Sequence, residues 1–211
     1  MPPSPRWLLA LHSSGEGLGV GLQPLGDPEV EPRLASFALG RGLSGALLTC
    51  VESVLPADQW PHLGRLAVAT GPGGFTSTRL TVVMARTLAQ QLSLPLDGVS
   101  SFLLMAARLA PPGPDPFWIG QVLPRRGTVA GLYGLEAAAP GVAPIAVERL
   151  APRLYSPEEP LPAGPCVPVS HDPLADCRDL LRRSQRAAAA GLAAPWQTVL
   201  PDYPTSPVES R

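Results

Sequence analysis

The sequence contains neither lysine nor asparagine, and all 16 of its basic side chains are arginine. Without lysine there is no Walker-type Gly-Lys-Ser/Thr, no Schiff-base amine and no kinase-type lysine, however suggestive a glycine-rich stretch looks. Cysteine is scarce. Cys50, Cys166 and Cys177 are odd in number and never close in sequence, which argues against a disulfide framework and a paired-thiolate metal site. The three histidines, His12, His62 and His171, show no metal-ligand spacing and read as structural. With a formal net charge of -1 there is no electrostatic footprint for autonomous nucleic-acid binding. Long apolar runs are missing too. Trp7 to Leu11 is too short for a signal h-region, and no later run approaches the roughly 18 apolar residues of a membrane span. The expectation is a cytoplasmic protein with no membrane partner.

What is present is enough apolar residue, 45%, to build a core, arranged in alternating short runs. Trp7 to His12 and Gly17 to Leu22 read as two strands about a Ser13-Ser14-Gly15 turn, and Leu34 to Leu39 as a weaker strand. From Leu43 the apolar positions Leu43, Leu47, Cys50, Val51 and Val54 recur at helical spacing, with Ser44 as a cap and Pro56 as the stop. Leu66-Ala67-Val68-Ala69 then closes a buried strand at Gly71-Pro72-Gly73-Gly74-Phe75-Thr76.

That glycine-rich turn between strand and helix is ground for a phosphate cradle, with Gly71, Gly73, Gly74 and Thr76 as its members. It serves equally as a tight corner. Thr76 or Ser77 can cap the helix that follows. On that helix Leu80, Val83, Met84, Leu88 and Leu92 form one apolar stripe, and Val82, Ala85 and Ala89 form a second beside it. Only Arg79, Arg86 and Gln90 look plainly solvated, more apolar surface than one sheet face needs. The surplus fits either a partner interface or a helix buried by its own domain.

Beyond residue 110, Pro111 to Pro116 breaks regular structure, and 13 of the 28 prolines fall between residues 111 and 168. The expected organisation is therefore 1–110, a lobe with the glycine loop and the interface helices, and 111–211, a smaller proline-rich lobe and tail. The second lobe holds strand candidates at Phe117–Val122, Thr128–Leu135 and Val142–Val147, an irregular segment from Ala151 to Pro168, and a long helix from Asp172 to Ala190. On that helix Arg178, Arg182 and Arg186 share one face that could meet phosphate, but the interleaved Asp172, Asp176 and Asp179 favour an ordinary solvated face. The hairpin, strand, helix, strand, glycine loop and helix in series argue for a two-lobed α/β fold of ASKHA type, the actin and sugar-kinase architecture. Its nucleotide site is degenerate. His12 stands where an aspartate would organise metal and phosphate, and the second half has no glycine-rich turn of its own.

Four segments carry a resemblance to the TsaB (YeaZ) family. Leu8 to Ser14 resembles its opening Leu-Ala-Ile-Asp-Thr-Ser strand, and Thr70 to Leu80 its Gly-Pro-Gly-Ser-Phe-Thr-Gly-x-Arg signature. Gly98-Val99-Ser100-Ser101 and Leu200-Pro201-Asp202-Tyr203 are similar to its Gly-Val-Ser-Ser and Leu-Pro-x-Tyr segments. The departures are His12 for aspartate, Gly74 for serine, Ser77 for glycine, and Leu123-Pro124-Arg125-Arg126 for an Asp-Ala-Arg segment. The resemblance implies a non-catalytic subunit with no cofactor of its own, ATP and metal being handled by partner subunits. Those partners would be a TsaD-like transferase, which passes threonylcarbamoyl to an adenosine of tRNA, and a TsaE-like ATPase. The chain would form a homodimer when alone and touch tRNA only indirectly. The family's interface helices correspond here to Leu43–Leu55 and Leu80–Leu92, which makes Leu43, Leu47, Val51, Leu80, Val83, Met84 and Leu88 the expected partner residues. The alternative from another class is an active ASKHA-type kinase or ATPase using the Gly71–Gly74 loop.

Overall fold

The computed structural model describes residues 6–113, 115–136 and 144–204. They divide into two compact units, residues 1–101 with 172–201, and residues 102–171 with 202–211. These are not the sequential halves expected, because the last long helix and the start of the tail return to the first unit.

The first unit is a five-stranded sheet of order β3-β2-β1-β4-β5. Strands β1 (Trp7–His12), β2 (Leu18–Pro24) and β3 (Arg33–Phe37) form an antiparallel meander, and β4 (Leu63–Gly71) and β5 (Leu96–Ser100) continue it parallel to β1. This strand series is the ASKHA-type arrangement expected from the order of elements. Helices α1 (Leu43–Val54) and α2 (Phe75–Leu92) share one hydrophobic core with Leu9, Leu11, Leu18, Val20 and Leu22 of the hairpin. Side chains alternate along a strand, so Gly19, Gly21 and Gln23 of β2 turn the other way, toward α4 (Pro173–Ala189). A Cβ on Gly19 would come within 2.5 Å of the Pro173 carbonyl oxygen and 2.8 Å of Cys177 Sγ. The glycine alternation of β2 is what lets α4 lie so close.

Caps were less legible than helices. Neither Ser44 nor Thr76 nor Ser77 caps its helix: the cap positions are Gly42 and Gly74, without a side-chain hydrogen bond. Ser77 instead donates back to the Gly74 carbonyl at 3.1 Å. At α4 the local rule holds, since the Asp172 carboxylate accepts from the amides of Leu174 and Ala175 and Pro173 occupies the first turn. A bidentate pair, Arg65 to Asp97 at 2.7 and 2.8 Å, joins β4 to β5, and Ser184 of α4 also bonds Asp97. The tail carries a 3₁₀ turn at Trp196–Thr198, and Val199 joins the core while its carbonyl accepts from Arg86 at 2.9 Å.

The second unit is a four-stranded sheet of order β8-β7-β6-β9, with β6 (Phe117–Leu123), β7 (Gly127–Glu136), β8 (Ile145–Tyr155) and β9 (Cys166–Pro168). Helix α3 (Ser101–Leu109) supplies Phe102, Met105 and Ala106 to its core beside Phe117, Ile119 and Tyr133. Strand β8 runs through the segment expected to be irregular. Pro152 is tolerated there because β8 is an edge strand, which needs no outward ladder donor. Val142 of the expected third strand, Pro207 of the tail and Pro114 of the expected break lie outside the described residues. Among the described residues no helix is long and apolar enough to cross a membrane.

Candidate functional site

The glycine loop leaves the C-terminal end of β4 and enters α2. Gly71 has φ +109°, a value that L side chains rarely adopt, and the Gly71–Pro72 peptide is cis. The loop is closed onto its own chain. The Gly74 amide donates to the Ser14 carbonyl at 2.8 Å, and the Gly71 amide donates to Ser101 Oγ at 3.2 Å. A Cβ on Gly73 would sit 2.3 Å from the Ser14 oxygen, so the turn after β1 occupies the space a side chain would take. Pro72 has no amide hydrogen to offer. Thr76 follows, exposed in the first turn of α2.

The hydroxyls of Ser13, Ser14, Ser77 and Ser101 around the loop are likewise engaged, whereas Thr78 Oγ1 and Ser100 Oγ are buried with no hydrogen-bond partner among the described residues. Ser13 Oγ lies 2.6 Å from Thr81 Oγ1 and donates to the Ser77 carbonyl at 2.9 Å, tying the β1 turn to α2. Ser14 Oγ and Ser101 Oγ are hydrogen-bonded to each other. These contacts make a corner that fixes where α2 starts and which way it points.

His12, at the end of β1, faces α4 rather than the loop hydroxyls. Its Nε2 lies 3.6 Å from Asp176 Oδ2, with both side chains fully buried. Asp176 also accepts from the Asp172 amide at 3.0 Å. The expectation of a solvated aspartate face is thus corrected: Asp176 is buried, and Asp179 nearly so, gathering Arg182 at 2.5 Å and Arg183 at 2.6 Å. Interleaved charges on a helix look the same whether their partners are water or a neighbouring strand. Burial, then the Asp176 carboxylate, push the Cys177 thiol far up, and burial raises that of Cys166.

The expected partner residues separate into two groups. Leu43, Leu47 and Val51 belong to the core beneath α1, with Val51 wholly inaccessible; the exposed apolar residue on α1 is Leu48, at 53%. On α2 the inner stripe is Val82, Ala85 and Ala89, also buried. Leu80, Met84 and Leu88 are half-covered at its margin, and Val83 is 53% exposed. Phe75 is also exposed, with the Arg79 guanidinium 4.5 Å from its ring centre. Sequence spacing found the apolar surplus on α2. It did not find Leu48, because a lone leucine off the periodic stripe carries no signal.

Residues 32–121 match the family model described as TsaD, tRNA N6-adenosine threonylcarbamoyltransferase. The chain is 34% identical over 102 residues to the tRNA threonylcarbamoyladenosine biosynthesis protein TsaB of Bacillus subtilis, a match spanning 47% of this chain and 43% of that protein. The aligned stretch is therefore less than half the length of the curated relative. Two solved structures from Pseudomonas aeruginosa share the fold along the chain at 21% identity. One is an uncharacterized protein with similarity to peptidase YEAZ, with a TM-score of 0.72 over 95% of this chain and 100% of that one. The other is YeaZ, with a TM-score of 0.71 over 94% and 99%. Over about half its length the chain is thus similar in sequence to a TsaB protein, and along nearly all of it the chain shares the fold of the two Pseudomonas aeruginosa structures.

Proposed function

We propose that this protein serves tRNA threonylcarbamoyladenosine biosynthesis as a non-catalytic subunit that binds and supports a TsaD-like transferase. The observation that carries the accessory role is the closed glycine loop: Ser14 takes the Gly74 amide and fills the place beside Gly73. Two of the amides that would cradle a phosphate, those of Gly71 and Gly74, hold their own chain instead. Gly71, Gly73, Gly74 and Thr76 act as a corner that aims α2.

The partner surface is the outward side of α2 and α1, centred on Val83 and Leu48 and bordered by Leu80, Met84 and Leu88. Leaving two large aliphatic side chains half in water wastes apolar burial that a partner recovers. The same surface pairs two copies when the transferase is absent. ATP and metal chemistry belong to the transferase and to a TsaE-like ATPase bound to the pair, and tRNA is met only through them.

The test is a reconstitution. The purified chain alone hydrolyses no ATP above background, while its addition raises threonylcarbamoyl transfer to tRNA by the cognate TsaD-like enzyme. Robust ATP turnover by the isolated chain would replace this reading with an active kinase or ATPase using the Gly71–Gly74 loop.

A further inference from the structure

We propose that the groove between α4 and the connection from β2 to β3 binds a small organic anion, a phosphate or carboxylate carried on a compact apolar body. The groove lies at the opposite end of β2 from the Ser13–Ser14 turn, so it is independent of the glycine loop. Its volume is about 420 Å³, inside the usual size of small-molecule sites.

Its floor is built. Gln185 and Gln23 are both nearly buried, and their amides stitch α4 to the connection. Gln185 accepts from the Gly26 amide at 2.9 Å and donates to the Pro24 carbonyl at 2.7 Å and to Gln23 Oε1 at 3.2 Å. Gln23 in turn donates to the Val30 carbonyl at 2.7 Å. Gly26 takes the turn at φ +88°. Satisfied hydrogen bonds between residues far apart in sequence thus fix the walls in place, and Leu181 and Pro28 supply an apolar patch between them.

One wall is a ridge of guanidiniums, Arg178, Arg182 and Arg186, at helical spacing. Arg178 is matched by Glu31 at 2.6 Å. Arg182 shares its one carboxylate, Asp179, with Arg183. Among the described residues Arg186 has no carboxylate within salt-bridge distance, although it lines the groove half-buried. Among the described residues that line the groove, Glu29 is the single acid. A planar fork of donors with no internal acceptor, above an apolar patch, is the arrangement that takes a carboxylate or phosphate head with its body folded beneath.

Calorimetric titration of the whole chain with inorganic phosphate, adenosine 5′-monophosphate and benzoate tests this. Saturable one-site binding is expected for the nucleotide if the head is phosphate, or for benzoate if it is carboxylate, and either binds more tightly than inorganic phosphate. Arg186→Gln weakens it by roughly tenfold or more with no change in melting temperature. Ala189→Trp, which fills the groove from its open edge, abolishes it in a folded protein. Absence of saturable binding by all three probes up to about 10 mM overturns the proposal. So does unaltered binding by Arg186→Gln, or a gel shift of polynucleotide without binding of any small anion.

Discussion

His12 and Asp176 face each other across 3.6 Å in the interior of the first unit, where β1 meets α4, with neither side chain accessible to water. A family signature places aspartate at position 12, and here that residue would confront a carboxylate already in place. Two carboxylates in a dry site cannot both stay ionised, and one buried charge left without its partner costs several kcal/mol.

Replacing His12→Asp is therefore expected to destabilise the protein by about 2–4 kcal/mol. The measurement is the urea midpoint at neutral pH. Adding Asp176→Asn to His12→Asp should recover part of the loss, because it removes the like charge; a simple sum of the two single effects would mean that they are not coupled.

Gly73 and Gly45 make a matched pair. Gly73→Ala drives a Cβ to 2.3 Å from the Ser14 backbone oxygen, which cannot rotate away. A loss of about 1–3 kcal/mol follows from overpacking, as the loop parts from the β1 turn. Gly45 lies within α1 with nothing within 4 Å of its added Cβ. Gly45→Ala should stabilise by about 0.5–1 kcal/mol through helix propensity. Thermal denaturation of both variants checks the contrast.

Val83→Glu separates surface from core. With Val83 53% exposed, the carboxylate is solvated in the free chain, and stability should change by no more than about 0.5 kcal/mol. Association with the TsaD-like partner, and of the chain with itself, should be lost on size-exclusion chromatography. Val51→Glu, at a position with no accessible surface, is expected to prevent folding instead. Retention of both assemblies by Val83→Glu would remove α2 from the interface.

In the second unit, burial and then the nearby Arg108 hold His171 below the ordinary histidine range. The native state thus resists a proton that the unfolded chain accepts. Its contribution is fully present above about pH 6.5 and is lost as pH falls through the lower native value. Urea midpoints at about pH 7.5 and about pH 5.5 should therefore differ more in the wild type than in His171→Gln.

The order of strands and helices was written locally, in apolar runs, helical spacing and turn residues, and this is why Leu43 to Val54, Phe75 to Leu92 and the β1–β2 hairpin could be read directly. The glycine loop was legible as well, as a strand-to-helix corner. Its occupant was not: Ser14 precedes Gly73 by nearly sixty residues, and only the pairing of β1 with β4 brings them together. The same holds for α4. Its sequence reads as a helix with a well-formed cap and mixed charge, but whether Asp176 meets water or His12 depends on which sheet face receives the helix.

That choice was made by bare backbone on β2. The alternation Gly19-Val20-Gly21-Leu22 announced a strand by itself, whereas the need for glycine came from Pro173, Cys177 and Leu181, which approach within 3 Å of where Cβ atoms would stand. Periodicity sets secondary structure because it acts between neighbours in the chain. Burial, charge pairing and the closing of the glycine loop depend on residues that meet only when two faces of one sheet are covered, and these the tertiary structure alone decided.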